Sequence, residues 1–144
     1  MRLWHVELIP YLDNKRLTGQ WRELLAIKGA IDKNGSPNHG LVNKIMWYEI
    51  DVFKKYVDII YQESLKRDFN FSKKKYKELM SWECDLFGSF KWQGFRNYWH
   101  NDRYLRQCFF NIEEKADNDM IEPKQWFEIF TFYKMRCDYI DGNN

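Results

Sequence analysis

Apolar positions along this chain fall at helical spacing in four or five separate stretches. The first covers about residues 13–32, where Leu17, Trp21, Leu24, the stem of Lys28 and Ile31 form one stripe. Asp13 or Asn14 can cap its start, and the breaker Asn34-Gly35-Ser36-Pro37 ends it. A second line on the same helix runs Gly19, Glu23, Ala26, Ile27 and Ala30. That line is short-sided, which predicts a groove where another backbone approaches and Glu23 is held out of open water. The chain's own first residues are the nearest candidate to fill it. Ile50, Phe53, Val57, Ile60, Tyr61 and Leu65 give a second helix over about 50–67. Ser72 caps a third at about 73–83, and Asn101 or Asp102 caps a fourth over about 101–117. Glu122-Pro123 opens a last one to about 137, proline being tolerated in a first turn. Residues 1–12 read as extended with Pro10 marking their end. Residues 38–49 read as a loop with a helical turn, and 84–100, aromatic and glycine-containing, as more loop than helix. The expected fold is all-α: one compact domain, 1–144, of about four to five helices, with an extended N-terminal arm packed against the first.

Composition supports this reading. Seven glycines and three prolines provide few turns, which favours long helices over a many-stranded sandwich. Aromatics make up 19% of the chain, enough to fill a core and leave some rings as stacking surfaces. The net charge of +2 does not in itself signal nucleic acid. Acids concentrate in 113–122 and 138–141, however, so residues 1–110 are more basic and allow a DNA-facing patch. Cys84, Cys108 and Cys137 are odd in number and lack metal-finger spacing, as expected of reduced thiols in a cytosol. No apolar run approaches the ~18 residues that span a bilayer, and MRLWH is not a signal peptide. A soluble intracellular protein is expected.

Several constellations have an ordinary reading beside a chemical one. His5, His39 and His100 match no metal signature, and no metal is expected. There is no glycine-rich phosphate loop and no GxSxG elbow. Lys73, Lys74, Lys75 and Lys77 form either a solvated face or a phosphate contact. Phe90 to Trp99 interleaves rings with Lys91 and Arg96, which suits core packing and also an unstacked base. Trp126, Phe127, Phe130, Phe132 and Tyr133 suit core closure better than a DNA wedge. At the other end, an α-amine is a useful nucleophile: with a reference pKa of about 7.8, about a quarter is unprotonated at pH 7.4, against about 0.1% of a lysine. A carboxylate such as Glu23 can manage the protons of an attack by that amine. A packed terminus and a surface Arg22–Glu23 pair would look the same in sequence.

The strings Met1-Arg2-Leu3-Trp4-His5, Leu8-Ile9-Pro10 and Leu17-Thr18-Gly19-Gln20-Trp21-Arg22-Glu23 resemble the pyrimidine-dimer DNA glycosylase family, the endonuclease V-type repair enzymes of phages and their bacterial relatives. Trp21-Arg22-Glu23-Leu24 with Gly29-Ala30 looks like that family's first helix, and Leu65-Lys66-Arg67 with Phe69-Asn70 like the end of its second. Pro37-Asn38-His39 and Val42-Asn43-Lys44-Ile45-Met46 are similar to the bacterial branch. The resemblance covers about residues 1–70; beyond them it rests on an Asn111–Lys115 stretch and an aromatic C-terminal segment.

This resemblance implies an all-α monomer without metal or cofactor, acting on double-stranded DNA with lesions or abasic sites, in the cytoplasm of a bacterium or phage-infected cell. It implies a terminal α-amine that attacks C1′ of the 5′ nucleotide of a cyclobutane dimer, displaces the base and leaves an imine. The helix-1 glutamate then assists the β-elimination that cuts the strand. Carried over, Met1 is the nucleophile, Glu23 the acid–base group, and Arg2 and Arg22 phosphate contacts. Position 2 is a bulky arginine, which normally prevents trimming of the initiator methionine; with Met1 trimmed, Arg2 would take over as nucleophile and the arm would be one residue shorter. The family's arginine one turn after the glutamate is replaced by Ala26, for which Arg16 or Lys28 can compensate. Lys44, Lys91 and Arg96 complete the expected DNA contacts. The competing expectation is a silent DNA-binding module on the same scaffold.

Overall fold

The structure, a computed structural model, describes residues 1–142, with side chains through Asp138. Among the described residues it is helical, without a strand. Its long helices are α1 (Asn14–Asn34), α2 (Ile50–Lys66), α3 (Lys73–Met80), α5 (Asp102–Asp117) and α6 (Pro123–Gly142). A short α4 (Trp92–Gly94) runs into a π-helical turn at Phe95–Trp99. The caps fall where side-chain chemistry places them. Asp13 accepts from the Arg16 amide at the start of α1, Ser72 from Lys75 at α3, and Asn101 from Tyr104 at α5. Gly35 ends α1 at φ +82°, a left-handed conformation that glycine adopts at low cost.

Four boundaries differ from the sequence reading. Residues 6–11 are not extended but form a 3-10 helix, Val6–Tyr11. Leu8 and Ile9 are adjacent and both fully buried, which a strand packed on one face cannot achieve. Helix α3 stops at Met80, three residues early, because Trp82 turns inward: its indole donates to Asp32 of α1 at 3.1 Å, and its ring meets Phe53 edge-on. The 84–100 segment is loop only in its first half; Phe95 and Trp99 are buried and the backbone between them is helical. Helix α6 continues to Gly142 rather than 137.

One hydrophobic core draws on the arm, α1, α2, α3, the π turn, α5 and α6. Phe109 of α5 stacks on Tyr133 of α6 at 3.8 Å and on Trp126 at 5.5 Å, so those rings close the core as expected. Phe127 is 67% exposed and is not part of that closure. Of the 90–99 rings, Phe95 and Trp99 are core, whereas Tyr98 is 82% exposed. Lys73, Lys74, Lys75 and Lys77 are solvent-exposed. Cys84, Cys108 and Cys137 are free thiols. Among the described residues, no helix is long and apolar enough to cross a membrane.

Ionic ties hold the 3-10 helix to the rest. Glu7 accepts from Arg96 at 3.2 Å and from Arg136 of α6 at 3.0 Å, and Arg136 also reaches Asp102 at 2.7 Å. Arg67, at the end of α2, donates to the carbonyls of Ile9, Pro10 and Leu12. Beneath this layer His5 and His100 stack with centroids 5.3 Å apart, both buried. Burial pushes His5 down to about 4, with Arg96 adding to the effect, and pushes His100 well below the usual range. A histidine kept neutral in the fold but free to protonate when unfolded stabilises above its unfolded value of about 6.5. That stability is lost as pH falls toward the folded value. Urea denaturation should therefore show stability falling by about 1–2 kcal/mol between pH 6.5 and 5 from His5 alone, with His100 adding in the same direction. A flat profile over that window would contradict the buried neutral pair.

Candidate active site

Residues 1–5 lie in no helix, so their backbone groups need partners from elsewhere. Buried side chains supply them. The Gln20 amide on α1 accepts from the Trp4 N–H at 2.7 Å and donates both to the Arg2 carbonyl at 2.9 Å and to a Glu23 oxygen at 3.0 Å. The Tyr56 hydroxyl from α2 lies 2.6 Å from the Trp4 carbonyl and 2.8 Å from Gln20 Oε1, donating to one of them. Tyr104 of α5 donates to the Leu3 carbonyl at 2.7 Å, and His100 Nδ1 accepts from the Val6 N–H at 3.1 Å. One glutamine thus ties the arm and the Glu23 carboxylate together.

Glu23 is half-buried at the wall of a cleft of about 370 Å³. Met1, Arg2, Trp4, Lys15, Arg16, Gly19, Gln20 and Leu41 line it, together with Asn111, Lys115 and Met120 from the last third of the chain. Burial raises the Glu23 carboxyl above its usual value, while the terminal amine, the Arg2 amide, His39 and the Arg2 charge pull the other way. The amine acts on the carboxylate across the cleft; Glu23 has no ion-pair partner within 4.0 Å among the described residues. A half-buried carboxylate with a raised pKa, lining the same cleft as an amine, is a group suited to accepting and returning a proton.

The short-sided line on α1 behaves differently from expectation. A Cβ placed on Gly19 would meet nothing within 4 Å, so no backbone is seated there and the glycine forms open cleft floor instead. The arm crosses one residue further on, at Gln20.

The expected DNA contacts are dispersed. Arg2 lines the cleft, with its guanidinium 5.3 Å from the centre of the Trp4 ring. Arg22 is exposed beside Glu23. Arg16 lines the cleft but is only 8% exposed, paired with Asp13 at 3.3 Å and donating to the Met120 carbonyl at 3.1 Å. It holds the α5–α6 connection to α1. Lys28 pairs with Asp32 at 2.6 Å, lies over the Trp82 ring and is not among the residues lining the cleft. Lys44 lies 4.8 Å above the Trp99 ring, and burial, then Arg103, lowers its pKa. Lys91 is exposed at the cap of α4, and Arg96 is tied to Glu7.

Sequence reasoning missed Gln20, Tyr56 and Tyr104 as supports and Lys15 and Met120 as lining residues. Gln20 alone carried a signal, being polar on an otherwise apolar side of α1. A larger groove of about 590 Å³ between Tyr11 and α6 contains neither Met1 nor Glu23.

The sequence model of the family described as pyrimidine dimer DNA glycosylase matches residues 1–77, just over half of the chain. The chain belongs to that family. No curated protein and no solved structure matches it. Membership makes it a DNA-repair enzyme, with pyrimidine dimers in DNA as the family's substrate. The matched segment contains Met1, Gln20, Glu23, His39 and Tyr56, but not Tyr104, Asn111, Lys115 or Met120. The cleft lining is therefore drawn from both the matched and the unmatched parts of the chain.

Replacing Gln20 with alanine strands the Trp4 amide and the Arg2 carbonyl, at about 1–3 kcal/mol for a buried unpaired group. Gln20→Ala should lower the urea midpoint accordingly and raise amide exchange at Trp4 selectively. Unchanged exchange there would mean that the arm is held by its apolar contacts alone.

Proposed function

We propose that this enzyme is a combined DNA glycosylase and abasic-site lyase using its own terminal amine. With Met1 as the mature first residue, its nitrogen attacks C1′ of the damaged nucleotide and the glycosidic bond breaks, leaving its electron pair on the base. The amine nitrogen gives a proton to Glu23, which returns it to the ring oxygen as the sugar opens to an imine. Glu23 then takes the C2′ proton, and the 3′ phosphate leaves by β-elimination. The observation that supports this reading best is the cleft shared by the terminal amine and a half-buried carboxylate, linked through Gln20. Arg2, Lys15 and Lys115 line that cleft and suit phosphate oxygens, with exposed Arg22 beside it.

Borohydride should trap a covalent adduct with abasic or dimer-containing duplex, and peptide mapping should locate it at residue 1. N-terminal acetylation should abolish both adduct and cleavage. DNA binding without an adduct, from protein with a verified free terminus, would instead support the silent binding module.

Glu23→Gln should lower strand cleavage by about 10²-fold or more with binding changed less than threefold, in the range expected of acid–base groups. Because Glu23 acts as a base, wild-type cleavage should fall as pH drops through its raised pKa, above the ordinary 4.5. The variant should lack that limb. Equal losses of binding and cleavage would argue against a chemical role.

A further inference from the structure

Two backbone groups settle how the Gln20 amide is turned. The Trp4 N–H can only donate, so it faces Gln20 Oε1; the Arg2 carbonyl can only accept, so it faces Nε2. A flipped amide would set donor against donor and acceptor against acceptor at both contacts. The remaining Nε2–H is therefore a donor to Glu23, 3.0 Å from Oε2. Gln20 is 1% exposed, and the Tyr56 hydroxyl lies 2.8 Å from its Oε1. Gln20 and Glu23 are three positions apart on α1, so they share a face of one rigid helix.

The two oxygens of Glu23 are consequently unlike. Oε2 has a donor directed at it. The Arg2 N–H acts on the carboxylate without completing a hydrogen bond, and Oε1 accepts none among the described residues. Nor is Oε1 one of the buried polar atoms without a partner, which leaves it open to solvent along the cleft that Glu23 lines. A protonated carboxyl oxygen is a poor acceptor. A proton arriving from the cleft thus has one favourable seat, Oε1, where the Gln20 bond survives.

We propose that Gln20 is a positioning residue for strand cleavage: it fixes Glu23 Oε2 as a hydrogen-bond acceptor and leaves Oε1 as the oxygen that takes the C2′ proton. The inference rests on the terminal-amine reading above. In the elimination the C2′–H electron pair becomes the C2′–C3′ π bond. The C3′–O bond breaks with its pair on the departing phosphate, and the proton stays on Oε1 until solvent removes it. Gln20 neither gives nor takes a proton. Its N–H favours the ionised carboxylate, the form a base needs, and so opposes the rise that burial causes. It also stops the carboxyl from rotating about its last bond, a torsion that is otherwise broad and presents either oxygen. The same NH₂ group holds the Arg2 carbonyl, so the base and the residue next to the nucleophile have one support.

Strand cleavage at a preformed abasic site, followed in single turnover at saturating protein, gives a pH profile whose Glu23 limb is the one that Glu23→Gln abolishes. Gln20→Met, similar in length and without a donor, should move that limb up by about one pH unit, because a hydrogen bond to a charged group is lost. The sign follows from the base role: a carboxylate without its donor keeps its proton to higher pH and is idle there. Tyr56→Phe removes the hydroxyl from the same network but keeps the Gln20–Glu23 bond; it should lower the rate and leave the limb in place. Thermal melts verify that each variant folds. Carbon-13 labelling of glutamate carboxyls reads the shift without turnover: the Glu23 signal, identified by its loss in Glu23→Gln, should titrate about one unit higher in Gln20→Met. In wild type, where position 20 is untouched, the Gln20 side-chain amide protons should shift with the Glu23 midpoint. A Gln20→Met limb at the wild-type pH, an equal displacement in Tyr56→Phe, or Gln20 protons indifferent to the Glu23 titration overturns the positioning role. A wild-type protein that gives no borohydride adduct on abasic DNA overturns the terminal-amine reading itself, so the two failures are separable.

Discussion

The fold depends on satisfying the backbone of residues 2–6. That segment enters the interior without a helix or strand to pair its polar groups, and each buried amide or carbonyl without a partner would cost about 1–3 kcal/mol. Gln20, Tyr56, Tyr104 and His100 meet this need from four different parts of the chain. The apolar side chains of Leu3 and Trp4 drive the segment inward, but they do not choose its register. The polar partners do, because a shift of one residue would exchange donors for acceptors along the whole segment. Fixing the register places residue 1 at the cleft.

The same interior sets the electrostatics. Burial holds two stacked histidines neutral under the arm and raises Glu23, while cationic groups on both sides limit how far it rises. The anionic counterpart, Glu7, lies in the next turn and is neutralised by Arg96 and Arg136. Negative charge is thus paired away from the cleft, and the surplus of cations remains within it.

Much of this was legible in the sequence. The helical period gave all the long helices, and Asp13, Ser72, Asn101 and Gly35 fixed their ends, because caps are local chemistry. Glu23 stood out as an acid on a short-sided line of α1. Elements set by distant partners were not legible: the 3-10 helix at Val6–Tyr11, whose carbonyls are held by Arg67, and the π turn whose rings fill the core. Charge alone also did not show which cations have partners within the fold. Arg16, Lys28 and Arg96 each have an acid partner within the fold, and the Arg96–Glu7 pair is too distant in sequence to be read from spacing. Gly19 was read as a seat for backbone and is open floor, since the arm's path was set by Gln20 one position away.

The bonds from Tyr104 to Leu3 and from His100 to Val6 span 101 and 94 positions of sequence. Closing loops of that length comes late in folding, after the local helices have formed. Without the segment around residues 100–104, the Leu3 carbonyl and the Val6 amide would each lose the partner that seats them in the interior.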